Sequence, residues 1–295
     1  MDASRQAATG NLVRRVGFAV VAIPLALLLV WYGGLPLVLL LIAAAVLATR
    51  ELFELAERRQ IRPARVLGLA SAAVISPIVY ATITSAEVRA VVQLAWPYAA
   101  AVWLITILTW ALLTRAPTDR PLAAVGVTVL AVAYTGALPA FLLDMRHHGH
   151  GSRSWAGAWL VFFPLVVTWV CDTAAMFGGR AIGGPKLAPT VSPGKTRSGS
   201  LAGVAGGLAV APLFGVAVFP RVGVAAPLWQ LVVIATVLGV IGQIGDLAES
   251  LFKREAGVKD SSDLIPGHGG VLDRLDSLYF VIPAAAAMYR AFGIF

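Results

Sequence analysis

The sequence predicts an all-α, polytopic integral membrane protein with about nine transmembrane helices and its chemistry at the cytoplasmic membrane face. Three observations predict this. Apolar residues make up 59% of the 295 residues and charged residues only 13%, more than a soluble core needs and in runs long enough to cross a bilayer. The charged residues gather between those runs rather than within them. Finally, placing the N-terminus in the cytoplasm leaves only Arg89, Arg146, Arg153, Arg221 and Arg290 of the 23 Lys and Arg on the outer side, as the positive-inside rule prefers.

Taken in order, the expected spans run from about Val16 to Trp31, Leu35 to Leu55, Val66 to Thr84, Val88 to Leu113, Leu122 to Leu143, Trp155 to Phe177, Gly199 to Phe219, Pro227 to Ile244 and Leu278 to Phe292. The first follows Arg14 and Arg15 and imitates a secretory signal, but no small-x-small cleavage site precedes the second run, so it reads as an uncleaved span. Trp31, Trp96, Trp155 and Trp229 lie near span ends, where interfacial anchors belong. Leu201–Val210 is rich in Gly and Ala, which lets neighbouring helices pack closely. The single Cys171 excludes an intrachain disulfide and reads as structural. The net charge of +8 reads as orientation and attraction to anionic lipid; with no basic stripe interleaved with aromatics, nucleic-acid binding is not expected.

Residues 1–155 read as a scaffold of lipid-facing helices. Arg50, Glu51, Glu54, Glu57, Arg58, Arg59, Arg62 and Arg65 look like a solvated, mixed-charge helix end. His147, His148 and His150 lie on a Gly-rich outer loop, where a solvated loop outweighs a metal site. Residues 156–295 carry the chemistry, in two cytoplasmic motifs at 172–199 and 246–276.

The second of these motifs is dense in charge and sits between two apolar runs, and ionisable groups so placed mark a functional site by default. If the helix from Leu228 continues past Asp246, then Asp246, Glu249, Ser250 and Lys253 share one face. Asp273 and Asp276, at i and i+3, would share another. Between them lie Lys259, Asp260, His268 and the pair Gly269-Gly270, whose backbone can approach a ligand closely. Carboxylates from two helices with several donors between them suit a hard cation and a phosphate. In the first motif, Asp172 lies on a membrane helix, and Ser192, Lys195, Thr196 and Arg197 offer donors in a Gly/Pro-rich loop. No Walker A is present, because neither GGPKLAPT nor SPGKT has the required spacing.

Ser250, Phe252, Lys253-Arg254, Lys259-Asp260, Ser262, Ile265-Pro266, His268-Gly269-Gly270, Val271 and Asp273-Arg274-x-Asp276 resemble the signature of the phosphatidate cytidylyltransferase (CDP-diacylglycerol synthase) family. Asp172-Thr173-x-Ala175 and Ser192-Pro193-x-Lys195-Thr196 resemble its second shared region, with two departures: Met176 where Tyr is usual and Ser198 where Glu is usual. The resemblance covers roughly residues 165–295.

It implies condensation of CTP with phosphatidic acid to CDP-diacylglycerol and pyrophosphate, in the inner membrane. It implies Mg²⁺, with room for a second monovalent or divalent cation, on Asp246 and Asp273, with Asp276 and Asp172 as further ligands. Lys253 and His268 would join Asp246 and Asp273 in catalysis. Ser192, Lys195, Thr196, Ser250, Arg254, Lys259, Asp260, Gly269, Gly270 and Arg274 would bind substrate. Membrane lipid is the expected surrounding partner and a homodimer the expected assembly. The competing readings are a CTP-dependent polyprenol or lipid kinase, which would transfer the γ-phosphoryl group, and a secondary transporter with intramembrane Asp. The charges of this chain concentrate at one membrane face, which favours an interfacial enzyme over a transporter.

Overall fold

The computed structural model describes residues 20–264 and 269–295. Helices dominate. Among the described residues seven are long and apolar enough to cross a membrane: Gly34–Glu57 (α2), Arg65–Thr84 (α3), Ala86–Thr114 (α4), the span Pro121–His147, Trp155–Ile182 (α7), the span Arg197–Val222 and Leu228–Glu255 (α10). These match the second to eighth expected spans, and the protein is a multi-pass membrane protein. The first expected span is described from Val20 onward, where Val20–Tyr32 is a shorter apolar helix (α1). The last is a helix of 14 residues, Leu278–Ala291 (α12), about 21 Å long at 1.5 Å per residue, against a hydrocarbon core of about 30 Å.

Two spans are interrupted. Pro121–His147 is an α-helix, Pro121–Ala131 (α5), a π turn at Val132–Ala137, and a second helix, Leu138–His147 (α6). Arg197–Val222 is Arg197–Leu208 (α8), Val210–Leu213 (α9), a π turn and a 3₁₀ turn. The all-α expectation has one addition: Lys186–Ala188 (β1) and Ser192–Thr196 (β2) form an antiparallel hairpin where a flexible loop was expected.

The chain divides into two compact units. One contains the residues up to Ala137 together with Ala256–Leu275, the other Leu138–Glu255 together with Asp276–Phe295. In the first, α2 packs on α3, α3 on α4, and the short helix Val271–Leu275 (α11) packs on α2. The face of α4 is largely uncovered, with Leu94, Leu112 and Leu113 each more than 75% exposed; in a membrane chain these are lipid-facing surfaces.

In the second unit α7 and α8 form the most extensive pairing, and α10 and α12 pack on one another and on the α7/α8 side. The reason is in the side chains. A Cβ on Gly203 would lie 3.0 Å from Ala175 Cβ and from the Cys171 carbonyl, and one on Gly206 would lie 2.5 Å from Ala174 Cβ. Small residues remove the bulk that would hold two backbones apart. The Gly- and Ala-rich stretch at 201–210 therefore does what its composition predicts. Cys171 is buried in this seam, its thiol 3.5 Å from the Gly239 carbonyl, in keeping with a structural role.

Candidate active site

The second unit gathers Asp172, Lys195, Asp246 and Asp276. α10 is continuous from Leu228 to Glu255, so the expected face exists. Ser250 Oγ donates to Asp246 Oδ1 at 3.3 Å, one turn back. Glu249, fully buried, pairs with Lys253 at 3.0 Å, again across one turn. Lys253 is itself 93% buried, since only 7% of it is exposed; its charge near the buried Glu249 offsets what either would cost alone.

Lys195 reaches the same face from β2. Its Nζ donates to Asp246 Oδ2 at 2.5 Å, and both side chains are a little under one-third exposed. The hairpin sets that reach. Lys186 is paired with Thr196 and Ala188 with Ser192, Arg254 Nε donates to the Val191 carbonyl at 3.1 Å, and Thr196 Oγ1 caps α8 by accepting from Gly199 N at 3.1 Å. Ser192, half-buried, and Thr196, buried, thus shape the loop that carries Lys195.

Asp172 projects from α7 and is exposed, yet its charge and those of Asp246 and Asp276 act on one another, countered by Lys195 at Asp172 and by Lys253 at Asp276. Asp276 was expected to share a helix face with Asp273. Instead α11 ends at Leu275, and Asp276 lies in the turn before α12, its Oδ1 accepting from the Ser277 N–H at 2.6 Å. Local side-chain-to-backbone bonding of this kind competes with helix continuation. Gly245 allows the approach of the two segments, because a Cβ there would lie 2.8 Å from the Asp276 carbonyl.

Burial first, and the Asp246 charge second, push the Asp276 carboxyl up to about 6. A carboxyl raised in the fold costs stability when ionised, so that cost is present in full above pH 6 and falls away between pH 6 and the ordinary value of 3.8 as the folded protein takes up the proton. Asp276→Asn is therefore expected to melt higher than the parent at pH 7.5 in chelator. The gap should shrink by pH 5, and a gap independent of pH would contradict it.

The first unit holds the rest of the second motif. Asp273, buried, has one oxygen engaged three times: Oδ2 accepts from Ser261 N, Ser261 Oγ and Gly270 N, each at 2.8 Å. Gly269 has φ +76 and its Cβ would lie 2.5 Å from that same oxygen, so glycine is required on both counts. Lys259, Asp260 and Arg274 are exposed. His268, expected in catalysis, lies outside the described residues.

One residue the sequence did not mark stands out in this unit. Glu51 on α2, expected on a solvated face, is 2% exposed. It accepts from the Ser261 and Ser262 hydroxyls and from the Val271 and Leu272 N–H groups. The available signal was its register: Ala48 at i−3 and Leu55 at i+4 put it on the buried stripe of α2, while at the surface Arg50 pairs with Glu54, and Glu54 and Glu57 pair with Arg65.

A sequence model described as the cytidylyltransferase family matches residues 13–292. The chain belongs to that family. It is similar to a phosphatidate cytidylyltransferase of Brucella suis biovar 1 (strain 1330), 52% identical over 138 residues, which cover 45% of this chain and 46% of the relative. It is also similar to proteins of the same description from Haemophilus influenzae (40% over 152 residues, 50% of each chain) and Bacillus subtilis strain 168 (39% over 160 residues, 54% of this chain and 56% of the relative). The chain thus spans about half the length of the curated relatives it matches.

Within this member of the family the two departures have different surroundings. Ser198 donates to the Gly183 carbonyl and lies 3.1 Å from Thr196 Oγ1; an ionised Glu, having no proton to give, could not make the first bond. Met176 is exposed on α7.

Among the described residues no three His, Cys, Asp or Glu side chains stand together tightly enough to hold a metal by themselves. Mg²⁺ does not need that: it commonly takes one or two carboxylates and fills its remaining positions with water and substrate phosphate oxygens. Asp246 with Asp172 or Asp276 suits such a cation by donor chemistry, and the mutual repulsion of these carboxylates is what a cation would relieve.

Proposed function

We propose that this chain is a phosphatidate cytidylyltransferase of the inner membrane, joining CTP to phosphatidic acid to give CDP-diacylglycerol and pyrophosphate. The observation that carries this reading is the Lys195–Asp246 pair, a cation and a carboxylate brought to 2.5 Å from two elements at the polar end of a membrane-spanning helix. The names of the relatives supply the chemistry that such a site would perform.

A phosphate oxygen of the lipid attacks the α-phosphorus of CTP, and the bond to the pyrophosphate oxygen breaks. Phosphatidic acid is a phosphomonoester whose second ionisation lies near pH 6, so its attacking oxygen carries charge without a general base. The protein's task is to bring two anions together. Lys195 has three N–H donors and spends one on Asp246, leaving two for phosphate oxygens. Ser192 and Thr196 shape the hairpin around it. Asp246, with Asp172 and Asp276, would hold Mg²⁺, and when bound that ion would neutralise charge on the triphosphate.

Lys253 keeps its expected part in catalysis, and Ser250, bonded to Asp246, its part toward substrate. Asp273 stays in the proposal as a carboxylate for a cation. Arg254, Lys259, Asp260, Arg274 and the backbone of Gly269 and Gly270 keep theirs toward substrate. Positioning and charge neutralisation then lower the barrier to in-line displacement. The proposed orientation puts the N-terminus and both motifs in the cytoplasm, on the strength of the Lys and Arg asymmetry between loops.

The test is to supply purified protein, Mg²⁺ and phosphatidic acid with CTP carrying radioactive phosphorus at either the α- or the γ-position. Label should reach the lipid from the α-position only, with pyrophosphate released in equal amount. Label transferred from the γ-position alone would instead identify a lipid kinase.

A further inference from the structure

We infer that Glu51, in the N-terminal half read as scaffold, is a positioning residue for the reaction, acting on Asp273 through Ser261 and the start of α11. The inference rests on the cytidylyl-transfer reading. Each Glu51 oxygen faces two donor groups: Oε1 faces Ser262 Oγ at 2.8 Å and Val271 N at 3.0 Å, Oε2 faces Ser261 Oγ at 3.0 Å and Leu272 N at 2.8 Å. One buried carboxylate therefore grips the motif at two places ten residues apart in sequence, at Ser261-Ser262 and at Val271-Leu272.

The grip passes directly to Asp273. Ser261 Oγ has one proton to give and lies within hydrogen-bond distance of both Glu51 Oε2 and Asp273 Oδ2, while Ser261 N donates to Asp273 as well. Moving Ser261 moves both carboxylates. Gly270 closes the arrangement, since any Cβ there would overlap Ser261 Oγ and Glu51 Oε2, so this position admits only glycine while Glu51 stays where it is. The Ser262 hydroxyl and the Val271 and Leu272 N–H groups point at Glu51, and the Ser261 proton is shared between Glu51 and Asp273.

The test follows from the donor count. In Glu51→Gln the amide NH₂, whichever way it turns, faces a backbone N–H with which it cannot bond. At a temperature well below unfolding, we expect kcat per folded molecule to fall about tenfold or more, since small misplacements of reacting groups are costly, with the KM for CTP changed less than about threefold. Glu51→Asp, which keeps the carboxylate, should recover part of the loss. Amide hydrogen exchange at Val271 and Leu272 should quicken about tenfold in Glu51→Gln, as local opening becomes easier.

A Glu51→Gln protein with parental kcat, or with unchanged exchange at Val271 and Leu272, overturns the inference. So does a variant that only melts earlier and is fully active when folded, for that is a structural residue. If instead the parent makes no pyrophosphate from CTP and phosphatidic acid, the reaction reading fails, and the exchange measurement still decides whether Glu51 holds the segment.

Discussion

Asp246→Asn is expected to lower the rate of CDP-diacylglycerol formation by about 100-fold or more, a loss near 3 kcal/mol at 1.36 kcal/mol per decade. Asparagine keeps the shape of the side chain and a partner for Ser250, so the helix has no reason to unravel. What disappears is charge. The Lys195 ammonium, 2.5 Å away in the parent, loses its counter-ion, and the proposed cation loses a carboxylate. A group that acts on both substrate positioning and charge neutralisation should affect kcat more than the KM for CTP. The check is steady-state pyrophosphate release across a Mg²⁺ series, alongside a thermal melt. Activity within threefold of the parent at every Mg²⁺ concentration would remove Asp246 from the site.

Asp246 was legible in the sequence because its setting is costly: a carboxylate at the end of the apolar run Leu228–Ile244 needs a partner. The continuation of that helix to Glu255 was legible for the same reason, since Asp246, Glu249, Ser250 and Lys253 make sense only on one face. Lys195 was legible as a donor, but its partner was not. The pairing depends on the β1–β2 hairpin, whose five-residue strand contains a Pro and a Gly and has no strand-like alternation. Three-residue β1 carries no more signal.

Glu51 escaped for the opposite reason. It sits among Arg50, Glu54 and Glu57, which pair at the surface, and composition gives all four the same appearance. Burial is a property of the helix face, and one residue along a helix turns the side chain by about 100°. Arg50 and Glu51 therefore meet different surroundings although they are adjacent. The expected sharing of a face by Asp273 and Asp276 failed on a similarly local matter, the bond from Ser277 N to Asp276 that accompanies the end of α11.

Gly203→Val is expected to lower stability by about 3 kcal/mol, in the upper part of the range for overpacking a filled seam, and to lower activity with it. The cost arises because the new atoms have nowhere to go. The first added carbon already lies 3.0 Å from the Cys171 carbonyl and from Ala175 Cβ, and 3.1 Å from Cys171 Sγ; two further methyl groups must push α8 away from α7. One obstacle is the Cys171 backbone carbonyl and another the Ala175 Cβ, fixed directly to its backbone, so neither swings aside as a long side chain can. The displacement matters for chemistry because α7 carries Asp172 and the residue before α8 is Thr196, adjacent to Lys195. Separating the helices therefore moves Lys195 relative to Asp172 as well as loosening the core. Gly203→Ala adds only the first carbon and should fall between parent and Val in both measurements. A Val variant that melts and turns over like the parent would mean that the α7–α8 separation has slack, and that the geometry of Lys195 is set by the hairpin and Arg254 alone.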